Sequence, residues 1–231
     1  MADTLLHLCL PSPMLEDARA GRVNIVNRIA AAVAPAGWRL AFHDDTAAGR
    51  ARAARRGGHT LLHMQEPDSP RALCLRRAYH YPFWQIEATN ERWRFDVARA
   101  DFAAGDIDPT EARPFFRRWR DKVLGGVPIR REGFIFMPLQ GRLTQHRSFQ
   151  AASPLEMIEA TLEADPARPI HATLHPKESY DAAELAALEA LAARFPRFRL
   201  VRGDAGDLVA SCDYVVTQNS SVALTGFFAK K

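Results

Sequence analysis

Short apolar runs alternate with helical stretches along this 231-residue chain, and the alternation runs twice with a break between the rounds. That pattern restricts the fold to α/β architecture with parallel sheets, because a strand returning in the same direction needs a crossover long enough to hold a helix. In the first round, residues 4–10 read as a buried strand, left by Pro11-Ser12-Pro13 as a loop. Val23, Val26, Ile29, Ala30 and Val33 follow at helical spacing over 21–34, which stops near Pro35 and Gly37. A strand at 38–42, a small-residue helix at 46–56 and a strand at 59–64 complete a β-α-β-α-β unit. The second round places strands at 134–139, 170–174, 198–201 and 213–217. Ser153-Pro154-Leu155-Glu156 is a capping box, Asp181 and Glu184 open a helix with Leu185, Leu188, Leu191 and Phe195 on one face, a short helix spans 204–211, and Ser220 starts the last helix.

The break is less regular. Pro67 and Pro70 bound a loop, and residues 79–86 are aromatic and read as extended. Asp108-Pro109-Thr110-Glu111 is a capping box opening a helix through 113–123. Gly125-Gly126-Val127-Pro128, followed by Arg130 and Arg131, reads as the linker, giving domains at 1–124 and 132–231. A 47% hydrophobic and 25% charged composition is that of an ordinary soluble globular protein. The net charge is +4, and 27 of the 31 basic residues are arginine, whose forked guanidinium suits phosphate and carboxylate groups. Acidic glycans, nucleotides or an anionic membrane face are the partners this favours. No helix-turn-helix, zinc-finger or RNA-recognition signature supports nucleic acid. Cys9, Cys74 and Cys212 have no metal-ligand spacing and read as reduced thiols of a cytoplasmic protein. Neither a signal peptide nor an apolar stretch near the roughly 20 residues of a spanning helix is present.

Chemistry concentrates where two strands end. Leu174-His175-Pro176-Lys177-Glu178 follows the strand at 170–174, and Gln218-Asn219-Ser220-Ser221 follows the strand at 213–217. In parallel α/β sheets ligands bind outside the carboxyl ends of the strands. A hydroxyl pair opening a helix lies beside unpaired N–H groups and the positive end of the dipole, a setting that suits phosphate. His175 and Lys177 on a neighbouring strand end suit the same anion.

Together with Pro138-Leu139-Gln140 and Ser153-Pro154-Leu155-Glu156-Met157-Ile158, these segments resemble bacterial capsular polysaccharide biosynthesis proteins of the β-Kdo transferase type. Those proteins share a His-Pro and a Ser-Ser motif with bacterial sialyltransferases. The resemblance covers about residues 130–231. It implies a GT-B-like fold of two Rossmann-type domains facing a cleft, and inverting, metal-independent transfer from CMP-Kdo or a similar CMP-sugar. No cofactor is implied beyond the nucleotide-sugar donor. The acceptor is a glycan or glycolipid, and the location is cytoplasmic, with peripheral contact to the anionic inner-membrane face. Gln140, His175, Pro176, Lys177, Asn219, Ser220 and Ser221 become the nucleotide- and phosphate-binding residues. Many relatives of this type take their general base from an acidic-Asp-Gly or Asp-Gly-Phe motif that is not evident in this chain; Glu132-Gly133-Phe134 resembles it only loosely and sits at the start of a strand just after the linker. Such relatives also continue past the point matching Lys231 with a further strand and helices, so the resemblance implies an incomplete second domain.

Each candidate has a plainer alternative. Ser220 reads equally as a helix N-cap, Asn219 as a turn residue, Lys177 as a solvated side chain, and Gln140 as either a ligand contact or a loop hydrogen bond. Glu66 and Asp68, after the third strand, are the candidates for general base, although surface acids are the commoner case. Asp44 and Asp45 read as caps of the following helix, and His63 and His80 as structural. Asp106-Ile107-Asp108 resembles a metal-binding Asp-x-Asp, but Asp108 is better explained as a cap. Arg113, Arg117, Arg118 and Arg120, with Phe115, Phe116 and Trp119, read as a solvated face beside a core face, with contact to an acidic acceptor or lipid as the lesser reading. The functional alternative is a non-catalytic nucleotide-sugar or glycan-binding relative.

Overall fold

The computed structural model describes residues 4–78, 83–103 and 107–231, so Tyr79, His80 and Asp106 lie outside the described residues. The chain divides into two compact units, Met1–Phe102 and Ala103–Lys231.

The first unit is built on β1 (Leu5–Leu10), β2 (Arg39–Asp44), β3 (His59–His63), β4 (Ala72–Arg77) and β5 (Trp84–Glu87), in the spatial order β2-β1-β3-β4-β5. The first four run parallel and β5 runs antiparallel to β4. Side chains alternate across a strand, so Leu6, Leu8 and Leu10 of β1 face one core. There they meet α1 (Ser12–Arg19) and α2 (Asn24–Val33) through Leu15, Ala18, Val26 and Ile29. Cys9 faces the other side, against Ala53 of α3 (Ala47–Arg55) and Leu62. His7 and His43 are buried on neighbouring strands with ring nitrogens 2.9 Å apart. The second nitrogen of His7 reaches the Gly57 carbonyl at 2.9 Å, so it donates, and His7 Nδ1 accepts from His43.

Pro11-Ser12-Pro13 opens α1 instead of forming a loop. Proline is tolerated in the first turn, where its missing N–H has no helical partner. The strand β4 falls in a stretch that its flanking prolines and arginines make loop-like. Thr46, not Asp44 or Asp45, caps α3 by accepting the Gly49 N–H at 3.0 Å. Asp44 instead accepts from the Thr46 hydroxyl and pairs with Arg52, while Asp45 pairs with Arg50.

The second unit holds α5 (Pro109–Leu124) and a four-stranded parallel sheet ordered β8-β7-β6-β9. Its strands are β6 (Ile135–Pro138), β7 (Ile170–Thr173), β8 (Phe198–Leu200) and β9 (Tyr214–Val215). Ile135 and Met137 face a core shared with α6 (Pro154–Ala164) and α7 (Ala182–Arg194). Phe134 and Phe136 face the opposite core, with Val209 of α8 (Ala205–Ser211), Ala229 of α9 (Val222–Ala229) and Leu124 of α5. The short helix α4 (Asp96–Arg99) closes the first unit. The capping box at Ser153 is complete, and Asp181 with Glu184 forms a second. At α5, Asp108 accepts the Thr110 N–H at 2.8 Å, a simple N-cap in place of the expected capping box, since Glu111 does not bond back to the Asp108 N–H. The amino edge of the sheet is tied by Arg168, which binds Asp165 and Asp213 at 2.8 and 2.7 Å. The Tyr214 hydroxyl and Arg168 hold the Asp165 carboxyl well below the usual carboxylate range.

Along the chain the division falls between Phe102 and Ala103, ahead of α5 rather than at Gly125-Gly126. Helix α5 belongs to the second unit, where Leu124 joins the core of Phe134, Phe136 and Val209 and Phe116 packs 5.4 Å from Phe228 of α9. Gly125, with φ of 57°, is the left-handed stop of that helix.

Candidate functional site

All strands of the second sheet run parallel, so their carboxyl ends open on one edge. The chain moves outward from β6 to β7 and β8, then returns to β9 on the other side of β6. This reversal is a topological switch point, the place where the connections leaving adjacent strands diverge and leave a crevice.

Two connections flank it, residues 139–153 after β6 and 216–221 after β9, and side-chain amides bind them together. Asn219 Nδ2 donates to Gln140 Oε1 at 3.3 Å, and Asn219 Oδ1 accepts from Gln150 Nε2 at 2.8 Å. Gln150 is buried and also accepts the Arg147 N–H at 2.8 Å. Gln218 Oε1 accepts the N–H groups of Ala151 and Ala152, while its Nε2 donates to the Ala152 carbonyl at 2.8 Å. Gln140 thus makes a loop hydrogen bond, and Asn219 carries both amide contacts at the centre of the edge.

His175 follows β7. Its backbone N–H donates to the Tyr180 hydroxyl at 2.8 Å, and its ring Nδ1 accepts the Lys177 N–H at 3.2 Å. Because Nδ1 accepts, the neutral imidazole carries its hydrogen on Nε2, which has no hydrogen-bond partner among the described residues. A proline turn therefore presents one N–H donor, with Pro176 and the Lys177 side chain exposed beside it. Burial raises the Tyr180 pKa, which keeps its hydroxyl neutral in this role.

Ser220 is buried, and its Oγ accepts the Val222 N–H at 3.3 Å. Helix α9 begins at Val222, not at Ser220, and Ser221 occupies the N-cap position without a side-chain cap bond. Ser220 shapes the turn while Ser221 remains exposed. His175 and Ser220 do not lie on adjacent strand ends, since β6 runs between β7 and β9. At ordinary strand spacing those ends are about 10 Å apart. The candidate site is therefore spread over three strand ends, with Gln140 in the middle.

In the first unit, Glu66 accepts the Asn90 N–H at 2.7 Å and the Thr89 hydroxyl at 3.3 Å, contacts that anchor a loop. Asp68 is exposed. Burial lowers the His63 pKa, and its ring lies 6.0 Å from that of Trp84, so it packs as a structural residue. Among the described residues, no three His, Cys, Asp or Glu side chains are grouped to hold a metal ion. A groove of about 330 Å³ beside α8, lined by Phe134, His171, Asp204 and Asp207, lies away from the switch point. Its three carboxylates, Glu132, Asp204 and Asp207, oppose an anion.

Sequence reading missed Gln150, Arg147, Tyr180 and Glu184 as parts of this edge. Glu184 closes its capping box and also accepts the Leu143 N–H at 2.6 Å, tying α7 to the connection after β6. The available signal was the length of that connection, since long ordered loops in compact domains are commonly functional.

No protein-family profile and no curated protein matches the chain. Among solved structures it is similar to Thermosulfurimonas dismutans KpsC, beta Kdo 2,7 transferase, with a TM-score of 0.55 and 11% identity. The match covers 98% of this chain and 76% of that one. At this identity the likeness establishes a shared α/β fold with parallel sheets.

Proposed function

We propose that the chain is a glycosyltransferase of the GT-B kind, acting in capsular or surface polysaccharide assembly on a nucleotide-activated sugar, with CMP-Kdo or a similar CMP-sugar as donor. The observation that carries this reading is the carboxyl edge of the second sheet. There the His-Pro turn after β7 carries a ring Nε2–H with no hydrogen-bond partner among the described residues, Lys177 lies in the same turn, and Asn219 and the Ser220-Ser221 turn follow β9 across β6. The fold likeness to a β-Kdo transferase supports the same class.

In transfer, negative charge develops on the phosphate of the departing nucleotide, and fixed donors and cations stabilise that charge without reorganising. His175 Nε2–H, Lys177 and the Ser221 hydroxyl fill this role from the chain itself, with no metal in the proposal. The acceptor hydroxyl needs a base. Of the two carboxylates considered, Glu66 is engaged in holding its loop, so Asp68 takes that role in this proposal. A binding-only relative is the second reading, favoured by the engagement of Glu66.

The test is calorimetry and thermal shift with CMP, UDP, GDP and their sugar conjugates, followed by transfer from CMP-Kdo. CMP should bind most tightly, and His175→Ala should weaken it roughly tenfold, the worth of one charge-assisted hydrogen bond. Equal indifference to all three nucleotides would sink the proposal. CMP binding without transfer to any glycan acceptor would leave the binding-only reading.

A further inference from the structure

Glu178, the last residue of the His-Pro segment, turns back over the carboxyl end of β6. Its carboxylate fills the space that Gly141 leaves: a Cβ built on that glycine would meet Glu178 Oε2 at 2.4 Å and Cδ at 2.9 Å. The other carboxylate oxygen lies 3.6 Å from the Arg147 guanidinium. Arg147 sits on the connection after β6, with its side chain 23% exposed against 36% for Glu178. Its backbone is fixed on both sides by Gln150, which accepts the Arg147 N–H at 2.8 Å and donates its own N–H to the Arg147 carbonyl at 2.9 Å.

The base of Arg147 is thus anchored to the amide ladder, while its head group faces a carboxylate beyond hydrogen-bonding distance. The carboxylate rests against the residue that follows Gln140, in the middle of the edge where an anion would sit. A guanidinium fork binds phosphate oxygens in pairs, a geometry that this long contact does not use.

We propose that Arg147 is a further anion-binding residue of the site and that Glu178 is its internal counter-anion, displaced when a phosphate-bearing ligand binds. The inference rests on reading the carboxyl edge as an anion site. Glu178 supplies the negative charge that holds Arg147 in place, and the ligand must outcompete it. A phosphate does so because its oxygens engage the guanidinium fork in pairs, which the 3.6 Å carboxylate contact does not, and the doubly charged monoester of free CMP does so most strongly.

The experiment is titration calorimetry on the full chain with CMP and, separately, inorganic pyrophosphate. It compares the unaltered protein with E178Q, R147Q, the double variant and the control E163Q on α6. E178Q keeps the shape and removes the charge, and should tighten CMP roughly threefold to fivefold, the scale of a partly exposed ion pair. R147Q should weaken it about tenfold, and on that background E178Q should change affinity by less than about twofold, because the two act as one coupled pair. Where R147Q fails to fold, R147K replaces it and should give an intermediate loss. CMP binding that E178Q leaves unchanged or weakens overturns the inference, as does an E178Q gain undiminished by loss of Arg147. If E178Q tightens pyrophosphate while no nucleotide binds any variant, the nucleotide-sugar reading fails and the counter-anion stands. Binding of no anion by any variant overturns both.

Discussion

Asn219 shows how one side chain holds the candidate site in shape. Its carboxamide accepts from buried Gln150 and donates to Gln140, joining the connection after β6 to the turn after β9. Asn219→Ala leaves the Gln150 amide buried without its acceptor, and an orphaned buried polar group costs about 1–3 kcal/mol. The expected result is a lower urea midpoint with an unchanged slope, since the surface exposed on unfolding stays the same. A midpoint within error of the unaltered chain would show that the ladder is dispensable. Asn219 was visible in the sequence as part of a strand-end motif. Its partner Gln150, 69 positions away, was not, because only tertiary packing brings the two together.

Strands β1 and β2 carry a second polar pairing, His7 with His43, enclosed between the sheet and the turn at Gly57. Burial, followed by the neighbouring His7, Arg56 and Arg52, lowers the His43 pKa below its ordinary value near 6.5. Burial foremost also lowers His63 and His171. The unfolded chain then binds protons that the folded chain refuses. Stability is full above about pH 6.5 and falls as the pH drops below it. Urea midpoints measured from pH 8 to pH 5 should decline across that window, and His43→Gln should flatten the decline. A midpoint constant over the same range would count against the assignment. The elements themselves were mostly legible, since apolar periodicity marked every strand of the second sheet and Ser153 and Asp181 marked their helix starts. Helix α1 and strand β4 were not, because proline at Pro13 and the short arginine-flanked run at Ala72–Arg77 send loop-like local signals that packing overrides.

Division into two units, read from the doubled alternation, recurs in the structure with a different boundary. Helix α5 contributes Leu124 to the core of the second unit, and Phe116 packs against both Phe227 and Phe228 of α9. A piece spanning 103–231 should therefore unfold cooperatively, whereas one spanning 125–231 loses these contacts and should be less stable by roughly 3–6 kcal/mol, the burial of two to three large apolar side chains. Chemical unfolding of both pieces checks this, and equal stability would return the boundary to the glycine pair. Among the described residues no helix is long and apolar enough to cross a membrane.

What the sequence determined by itself was local and periodic. Strand and helix alternation, two capping boxes and two polar motifs after strands all depend on residues within a few positions of one another. Tertiary structure alone decided which strand ends are neighbours, placing β6 and Gln140 between the His-Pro and Ser-Ser turns. It also decided that Glu178 lies on Gly141 beside Arg147, and that α5 packs with the unit that follows it. The physical reason is that strand order and loop pairing depend on contacts between residues far apart in the chain, and local periodicity carries no information about which of them meet.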